Sequence, residues 1–278
     1  MRTLPAPAKI NAFLHVTGRR SDGYHTLQSL FVPIDCCDWV SLEARDDGVI
    51  SRTQGPDEVP ATQDLAVRAA RLLQRESGTA LGVSIEIDKR LPIAGGLGGG
   101  SSDAATVLLG LNRLWRLDLS RRALMDLALE LGADVPFFVF GEPALAQGVG
   151  EDLLSMTFPP TWFTILCPTT KVGTASIFAA PELTRNSDSA KIAVFSEGYG
   201  RNDLYVAAAA RFPEIARHRD ALAREARRSG ARMTGSGGCV FAAFDSEDAA
   251  RQALLEMPRD LHGFVARSLN RHPLWSYA

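Results

Sequence analysis

The sequence has little of what disulfide-stabilised, zinc-binding or membrane-spanning proteins depend on. Only four cysteines occur in 278 residues, and no two of them are spaced as Cys-x-x-Cys. This count and spacing exclude a disulfide framework and match no zinc motif, so reduced thiols are expected. No apolar run reaches the roughly 18 residues of a membrane helix, and the first residues lack the apolar run of a signal peptide. We therefore expect a cytoplasmic protein without a membrane partner.

The sequence also lacks a large net charge of either sign. Lysine and arginine total 30 and aspartate and glutamate 32, which gives a formal net charge of -2. A nucleic-acid partner would favour a basic face, so none is expected. With 46% hydrophobic and 22% charged residues, the composition is that of an ordinary globular protein. The length allows one large core or two modest domains that share a cleft.

The first half of the chain reads as strands followed by helices. Asp64 is predicted to cap a helix that ends at Gly78, because both residue types favour those positions. A second helix is predicted to start near Ser101, and a third to be capped by Ser120 and to stop at Gly132. Alternation and β-branched residues predict strands over 27–34, 38–44, 83–87 and 135–140, with a loop over 46–63.

The second half mixes the two element types. The patterns predict strands over 163–167, 239–244 and 264–269, and helices over 211–228 and 246–256. Strands and helices do not alternate strictly, so an α+β fold is favoured over a doubly wound sheet.

A glycine-serine loop over 92–102 carries the clearest chemical signal. Five glycines occur in the six residues from Gly95 to Gly100. Glycine backbone can approach a ligand closely, and successive N–H groups can surround an anion. The loop leads into the helix at Ser101, whose free N–H groups and positive end favour phosphate. Ser101 and Ser102 add hydroxyl groups, and either could help to hold Mg²⁺.

Two common nucleotide motifs do not fit this loop. A Walker A loop requires lysine where Ser101 stands. A dinucleotide fingerprint that begins at Gly96 and Gly98 requires glycine at the same position. The loop alone thus predicts phosphate binding of another type.

Three segments together resemble the GHMP kinase superfamily. They are Pro92-x4-Gly-Leu-Gly-Gly-Gly-Ser-Ser102, Ala6-Pro-Ala-Lys-Ile-Asn11, and Thr234-Gly-Ser-Gly-Gly238. Asp22-Gly-Tyr-His25 and Gly132-Ala-Asp-Val-Pro-Phe-Phe138 narrow the likeness to the kinases that phosphorylate 4-diphosphocytidyl-2-C-methylerythritol in the non-mevalonate isoprenoid pathway. The resemblance runs from about residue 5 to about residue 264.

The resemblance implies a fold, domains and ligands. The fold would be the two-domain GHMP kinase fold, α+β, with a ribosomal-protein-S5-like domain over 1–157 and a ferredoxin-like α/β-plait domain over 158–278. The active site would lie in the cleft between them. ATP with Mg²⁺ and a cytidine diphosphate sugar alcohol would be the small-molecule ligands, and the protein would be a monomer or a weak homodimer.

The resemblance also implies catalytic residues. Lys9 and Asp134 would flank the acceptor hydroxyl. Asp134 would accept its proton, and Lys9 would orient Asp134 and offset developing charge. From local sequence alone, Lys9 reads as a strand lysine and Asp134 as a turn or cap residue.

Binding residues follow from the same motifs. Tyr24 and Phe178 would stack on the two faces of the cytosine, His25 would bind its edge, and Asn11 and Thr174 would contact substrate. The predicted ATP-binding residues are Asp64, Lys89, Pro92, Ile93, Ala94, Gly95, Gly96, Leu97, Gly98, Gly99, Gly100, Ser101 and Ser102.

The chain departs from the family pattern in three places. The loop reads Ile-Ala-Gly over 93–95, which is a mild variation. Asp64 stands where the family often has asparagine, which puts one adenine contact in doubt. The segment 191–200 is shorter than in the family. Three alternatives stay open: a GHMP-type kinase for mevalonate, homoserine or a sugar, a non-catalytic nucleotide-binding regulator, and a nucleic-acid binder of ribosomal-protein-like fold.

Overall fold

The computed structural model describes residues 1–189, 200–226 and 230–278. The strands are β1 (Arg2–Arg19), β2 (His25–Arg45), β3 (Ile50–Gln54), β4 (Gly82–Asp88), β5 (Ala144–Gln147), β6 (Asp152–Ser155), β7 (Trp162–Leu166), β8 (Arg232–Met233), β9 (Val240–Phe244) and β10 (Gly263–Arg267). The helices are α1 (Leu65–Ser77), α2 (Gly99–Leu114), α3 (Arg121–Leu131), α4 (Val135–Phe140), α5 (Thr174–Phe178), α6 (Tyr205–Arg211), α7 (Pro213–Glu225) and α8 (Glu247–Leu255), followed by a 3₁₀ turn at Trp275–Tyr277. No helix in these ranges has both the length and the apolar character needed to span a membrane.

A six-stranded sheet is built on the two longest strands. Its order is β3-β4-β2-β5-β6, and β1 pairs with β2. Only the β3–β4 pair is parallel. The β1–β2 register breaks between Pro7 and Lys9 and again between Asn11 and Phe13. Such breaks re-aim side chains, so Lys9 and Asn11 lie on a short stretch of strand between two irregularities.

Four helices cover this sheet. α2 packs against α1, α4, β1 and β2, and its residues from Ser102 to Asn112 are all buried. Gly110 allows the close approach, because a Cβ there would lie 2.6 Å from side-chain atoms of both Leu4 and Leu42. The predicted inner face of α2 is confirmed, since its members are all buried: Ala104, Leu108, Leu111 and Trp115.

A second, four-stranded antiparallel sheet has the order β10-β7-β9-β8. α7 packs on β9, and α8 packs on β7, β9 and β10. A shared apolar cluster joins this sheet to the first one. It contains Ile10 and Ile34 of the long strands together with Phe163 and Phe241 of the small sheet.

The α+β prediction is confirmed, and so are most predicted elements. Asp64 caps α1 through Ala66 N, and Ser120 caps α3 through Ala123 N. Gly78 and Gly132 follow the last residues of these two helices, as expected. β4, β7, β9, β10, α7 and α8 coincide with predicted elements to within one or two residues at most ends.

The predicted strand over 135–140 is wrong, because this segment is helix α4. Pro136 lies in its first turn, and Gly141 ends it with φ at +76°. Short apolar runs of buried helix and buried strand have the same periodicity, so only these flanking residues distinguish them.

Three boundaries differ from the prediction. The strands expected over 27–34 and 38–44 form the single strand β2, and the loop expected over 46–63 contains β3. α2 begins at Gly99 rather than near Ser101, since Gly98, at φ +74°, occupies the cap position. Residues 191–199 of the short segment, and the last two residues of the helix predicted over 211–228, lie outside the described ranges.

Candidate active site

One cleft gathers nearly all of the predicted site residues. Its volume is about 1060 Å³, and it is lined by residues of β1 and β2, of α1, α2 and α5, and of the connecting loops. Of the predicted residues, Ser102 alone is absent from the lining, because it is fully buried beneath the loop. The residues that do line the cleft are Lys9, Asn11, Tyr24, His25, Asp64, Lys89, Pro92, Ile93, Ala94, Gly95, Gly96, Leu97, Gly98, Gly99, Gly100, Ser101, Asp134, Thr174 and Phe178.

Lys9 is a buried cation at the floor of this cleft. Its ammonium donates to Asn11 Oδ1 at 2.6 Å and to Gly96 O at 3.2 Å. Nζ also lies 3.5 Å from Asp134 Oδ2 and 5.2 Å from the centre of the Phe31 ring. The Lys9 side chain is 3% exposed, whereas that of Asp134 is 38% exposed. The pair therefore presents a carboxylate to the cleft with a fixed positive charge behind it.

The carboxylate of Asp134 is not used by its own helix. Asp134 stands at the N-cap of α4, but its side chain makes no capping hydrogen bond. A cap role was the ordinary reading of an aspartate at this place. The side chain instead faces Lys9, which leaves an oxygen available for a proton from a bound hydroxyl.

Asn11 lies two positions after Lys9 on β1 and fixes the position of its ammonium. Its Nδ2 donates to Ser29 Oγ at 2.8 Å, and its backbone N–H donates to Thr234 Oγ1 at 2.9 Å. Its Oδ1 is thereby turned toward the ammonium of Lys9. The N-terminal and C-terminal sequence motifs thus meet at this point.

The glycine loop is held from both sides. Lys9 N donates to Leu97 O, and Cys239 N donates to Gly95 O, both at 3.0 Å. Gly96 has φ at +79°, and a Cβ there would lie 2.2 Å from Thr234 O. Only glycine fits that contact, because other residues rarely adopt such a φ and have no room for a side chain.

The N-terminus of α2 opens into the cleft. Ser102 N bonds Gly98 O at 2.9 Å within the helix, so the preceding N–H groups, from Gly99 to Ser101, have no partner further back in α2. No side chain caps this end. Free N–H groups at the positive end of this 16-residue helix are suited to binding phosphate.

Lys89 is anchored by two carboxylates. Its ammonium pairs with Asp38, and with Asp103 at 2.8 Å. Asp38 is fully buried and also accepts from Arg90 N at 2.6 Å and Leu91 N at 2.8 Å. Burial lowers the pKa of Lys89, but Asp103 and Asp38 together raise it above its usual value. Burial raises the pKa of Asp103 to about 7, in spite of the Lys89 charge.

This network ties the segment before the loop to β2 and α2. The ammonium of Lys89 is held by Asp38 and Asp103, so an adenine in the cleft would contact mainly the methylene groups of Lys89. The carboxylate of Asp64 is also held by partners within the protein. Its Oδ1 caps α1, and its Oδ2 accepts from Arg52 at 2.5 Å. Arg52 in turn donates to Val59 O at 2.9 Å, which fixes one wall of the cleft.

Aromatic side chains lie at the other end of the cleft. Tyr24 is 67% exposed. The His25 and Phe178 rings lie 5.2 Å apart with a 32° tilt. Thr174 Oγ1 and Ser236 Oγ lie 2.7 Å apart. Their hydrogen bond joins α5 to the C-terminal glycine turn. Burial, followed by the nearby Arg185 and Arg19, lowers the pKa of His25.

Sequence reasoning missed several residues of the lining. Ser236 lies within a recognised motif, which was a usable signal. Arg19 and Asp22 stand beside the tyrosine-histidine segment. Arg185 has no local motif, and its place in the cleft follows only from the fold. No described set of three or more His, Cys, Asp or Glu side chains is arranged to hold a metal ion.

Comparisons with known proteins agree with this geometry. A family model described as "GHMP kinases N terminal domain" matches residues 64–142, and one described as "GHMP kinases C terminal" matches residues 192–263. A protein of Thiobacillus denitrificans named 4-diphosphocytidyl-2-C-methyl-D-erythritol kinase is 57% identical over 276 residues, which cover 99% of this chain and 98% of that protein. The chain belongs to the 4-diphosphocytidyl-2-C-methyl-D-erythritol kinase family, within the GHMP kinases.

Other members and solved structures agree. A 4-diphosphocytidyl-2-C-methyl-D-erythritol kinase of Nitrosospira multiformis is 54% identical, with 99% of this chain and 93% of that protein covered. A crystal structure of a 4-(cytidine 5'-diphospho)-2C-methyl-D-erythritol kinase superposes with a TM-score of 0.84 at 35% identity, covering 96% of this chain and 99% of that one. A homoserine kinase of Cytophaga hutchinsonii has a TM-score of 0.74 at 18% identity, with 97% and 95% covered, and so shares the fold alone.

Proposed function

We propose that this chain transfers the γ-phosphate of ATP to the 2-hydroxyl of 4-diphosphocytidyl-2-C-methyl-D-erythritol, giving the 2-phosphate and ADP, in non-mevalonate isoprenoid biosynthesis. The observation that carries the proposal is the Lys9–Asp134 pair, which lies 3.5 Å apart in one cleft with the glycine loop and the Tyr24, His25 and Phe178 cluster. The names of the relatives support the same reaction.

At the acceptor, Asp134 would take the proton of the hydroxyl as the bond to phosphorus forms. An alcohol has a pKa far above 7, so the carboxylate helps mainly late in the step. Lys9 would hold Asp134 in place and offset the charge on the transferred group. Positioning and charge neutralisation would supply most of the rate, as in other phosphoryl transfers.

At the donor, the loop from Pro92 to Ser101 and the free N–H groups of α2 would hold the ATP phosphates. This donor set fits a phosphate chain that carries Mg²⁺, which prefers a few oxygen ligands along with phosphate and water. Ser101 is the hydroxyl placed to contribute, since Ser102 is fully buried. Bound Mg²⁺ would offset the phosphate charge.

At the far end, Tyr24, His25 and Phe178 would hold the cytosine, and Asn11 and Thr174 would contact the rest of the substrate. Asp64 and Lys89 would lie on the adenine side, each acting mainly through the wall that it fixes.

The remaining expectations are proposed as well. The chain would divide into an ATP-binding domain over 1–157 and a C-terminal domain over 158–278. This division falls between β6 of the large sheet and β7 of the small one. The enzyme would be cytoplasmic, which four free thiols support. It would act as a monomer or weak homodimer on small molecules, without nucleic-acid or membrane partners.

The test is a phosphorylation assay with ATP and a panel of acceptors. We expect turnover of the cytidine diphosphate sugar alcohol and none of homoserine, mevalonate or a simple sugar. If homoserine or mevalonate were phosphorylated and the cytidine compound were not, the proposal would be wrong.

A further inference from the structure

One arginine joins two walls of the aromatic end of the cleft. Arg185 Nε donates to His25 Nε2 at 3.1 Å. Its terminal nitrogens donate to Phe178 O at 3.1 Å, Ala180 O at 2.7 Å and Leu183 O at 3.1 Å. A single guanidinium therefore holds the His25 ring beside the backbone segment that carries Phe178.

The chemistry of this contact assigns the proton on His25. A guanidinium carries only donors and stays charged, so Nε2 must offer a lone pair to it. A neutral imidazole with a lone pair on Nε2 carries its hydrogen on Nδ1. Protonation of Nε2 would set two donors against each other. The charges that face the ring, Arg185 from the segment after α5 and Arg19 from β1, oppose a second proton, and the pKa of His25 is lowered accordingly, with burial as the largest cause.

The other ring nitrogen is left as a donor. Among the hydrogen bonds of the described residues, none involves His25 Nδ1, and His25 lines the cleft. A fixed N–H donor suits a ring nitrogen that accepts. Cytosine has such an acceptor at N3, whereas uracil carries a hydrogen there and would meet the donor with another donor. Sites that leave a polar group opposed in this way reject the wrong ligand strongly.

We propose that Arg185 is a positioning residue that holds His25 in its Nδ1-protonated form and so makes the site select a cytosine nucleotide over a uracil nucleotide. The proposal rests on the proposed cytidine diphosphate substrate. It adds a residue outside the sequence motifs and a reason for the choice of base.

The first test needs no substrate. Nuclear magnetic resonance of ¹⁵N-labelled, ligand-free protein reports which nitrogen of His25 bears the hydrogen. We expect Nδ1–H in the native protein, and Arg185→Ala should move hydrogen toward Nε2. Arg211→Ala is the matched control, because Arg211 pairs with Glu182 and with Ala207 O outside the cleft lining. That control should leave His25 unchanged. Native His25 with its hydrogen on Nε2 would overturn the proposal.

The second test measures choice of base. The ratio of kcat/KM for the cytidine substrate to that for its uridine analogue should fall about tenfold or more in Arg185→Ala, since a mismatched polar contact is worth that much. The change should appear in KM for the nucleotide acceptor, while KM for ATP stays the same. Arg185→Lys should stay folded but select poorly, because one ammonium cannot reach all four acceptors.

A double variant separates positioning from a general loosening of the cleft. If Arg185 acts through His25, its substitution should reduce the base ratio no further in a His25→Ala background. The proposal would be overturned if folded Arg185→Ala kept the native ratio of kcat/KM for the cytidine and uridine substrates. It would also be overturned if Arg185→Ala lowered this ratio equally in the native and the His25→Ala proteins. If the native protein phosphorylated neither nucleotide acceptor, the proposed function would fail, and the resonance experiment would still decide the state of His25.

Discussion

Lys9 and Asp134 differ in how far their side chains are exposed to solvent, and that difference agrees with the separate roles proposed for them. A buried ammonium is costly to desolvate, and that of Lys9 is stabilised by two oxygen acceptors and by the carboxylate beside it. Asp134 is far more exposed, and its removal leaves Lys9 with its bonds to Asn11 and Gly96. Loss of the carboxylate should therefore affect chemistry more than folding.

Asp134→Ala should lower kcat at least about 10²-fold, the usual scale for a catalytic acid or base. ATP affinity should be retained, because the glycine loop and α2 are untouched. Steady-state kinetics and calorimetric titration with an ATP analogue measure the two effects. Asp126→Ala is a matched control, since that exposed aspartate pairs with Arg122 one turn earlier on α3 and does not line the cleft. Full turnover in Asp134→Ala would remove this residue from the mechanism.

His272 provides a pH-dependent contribution to stability. It is buried, its Nδ1 accepts from Leu274 N at 3.0 Å, and its backbone N–H donates to Gly141 O at 2.7 Å. Burial, and then Arg121, lowers its pKa from 6.5 to about 3. Between these values the unfolded chain binds a proton that the folded chain does not. This contribution is complete above pH 6.5 and is lost as the pH falls toward 3.

His272→Asn keeps an acceptor for Leu274 N but cannot be protonated. The free energy of unfolding of this variant should depend less steeply on pH between 6 and 4, by up to about 1.4 kcal/mol per pH unit. Urea unfolding at several pH values checks the difference, with comparison above pH 7 as the internal control. Parallel curves for the two proteins would contradict the expectation.

At the scale of elements, the glycine loop is constrained more strongly at some positions than at others. Gly96→Ala should destabilise the fold by about 3 kcal/mol, because φ is positive and the new methyl group would meet Thr234 O. ATP affinity should fall with it. Gly100→Ala should stay within about 1 kcal/mol of the native protein, since its Cβ would lie 3.9 Å from the nearest atom, on Leu65, and alanine favours helix.

Thermal or urea unfolding of both variants tests this contrast. The two glycines are four positions apart in one motif, so the comparison controls for composition. Equal stability of the two variants would show that the contact between the loop and Thr234 does not constrain Gly96.

Elements with caps were predictable from sequence. α1 and α3 have side-chain caps at Asp64 and Ser120, and each ends at a glycine. α4 was taken for a strand because six apolar residues carry no period of their own, and the decisive signals were Pro136 and Gly141. β3 was missed for the opposite reason, since four of its five residues are polar and none of the five is fully buried.

The site was predictable as far as its motifs reach. Nineteen predicted residues line the cleft because contiguous motifs place their members together. Two sets of contacts join residues far apart in the sequence, and no local sequence motif predicts them. One is the salt-bridge network of Lys89 with Asp38 and Asp103, and the other is the link from Arg185 to His25 across 160 positions.

At the scale of the whole molecule, the two sheets are not independent. The shared cluster buries side chains of β1 and β2 against those of β7 and β9. Strand β1 also makes hydrogen bonds to the second half of the chain. Leu14 N donates to Arg201 O at 2.9 Å, and Val16 N donates to the Asp203 carboxylate at 2.8 Å. An apolar interface of this kind couples the unfolding of both sides.

We therefore expect a single unfolding transition for the full chain. Urea curves followed by circular dichroism and by tryptophan fluorescence should coincide. A fragment of residues 1–157 should bind a hydrophobic dye, since it would expose Ile10, Phe13 and Ile34 of the shared cluster. Two separate transitions, or a compact fragment that binds no dye, would contradict this.

The contacts of β1 also set an order of events during synthesis. Asn11 of β1 is synthesised 223 positions before Thr234, whose Oγ1 accepts a hydrogen bond from its backbone N–H. At 5–20 residues per second, that interval is about 10 to 45 s. Until then part of this strand edge lacks its partner, and an unpaired strand edge is a template for pairing with other chains. Strand β1 is therefore a segment of the nascent chain that a chaperone would have reason to cover.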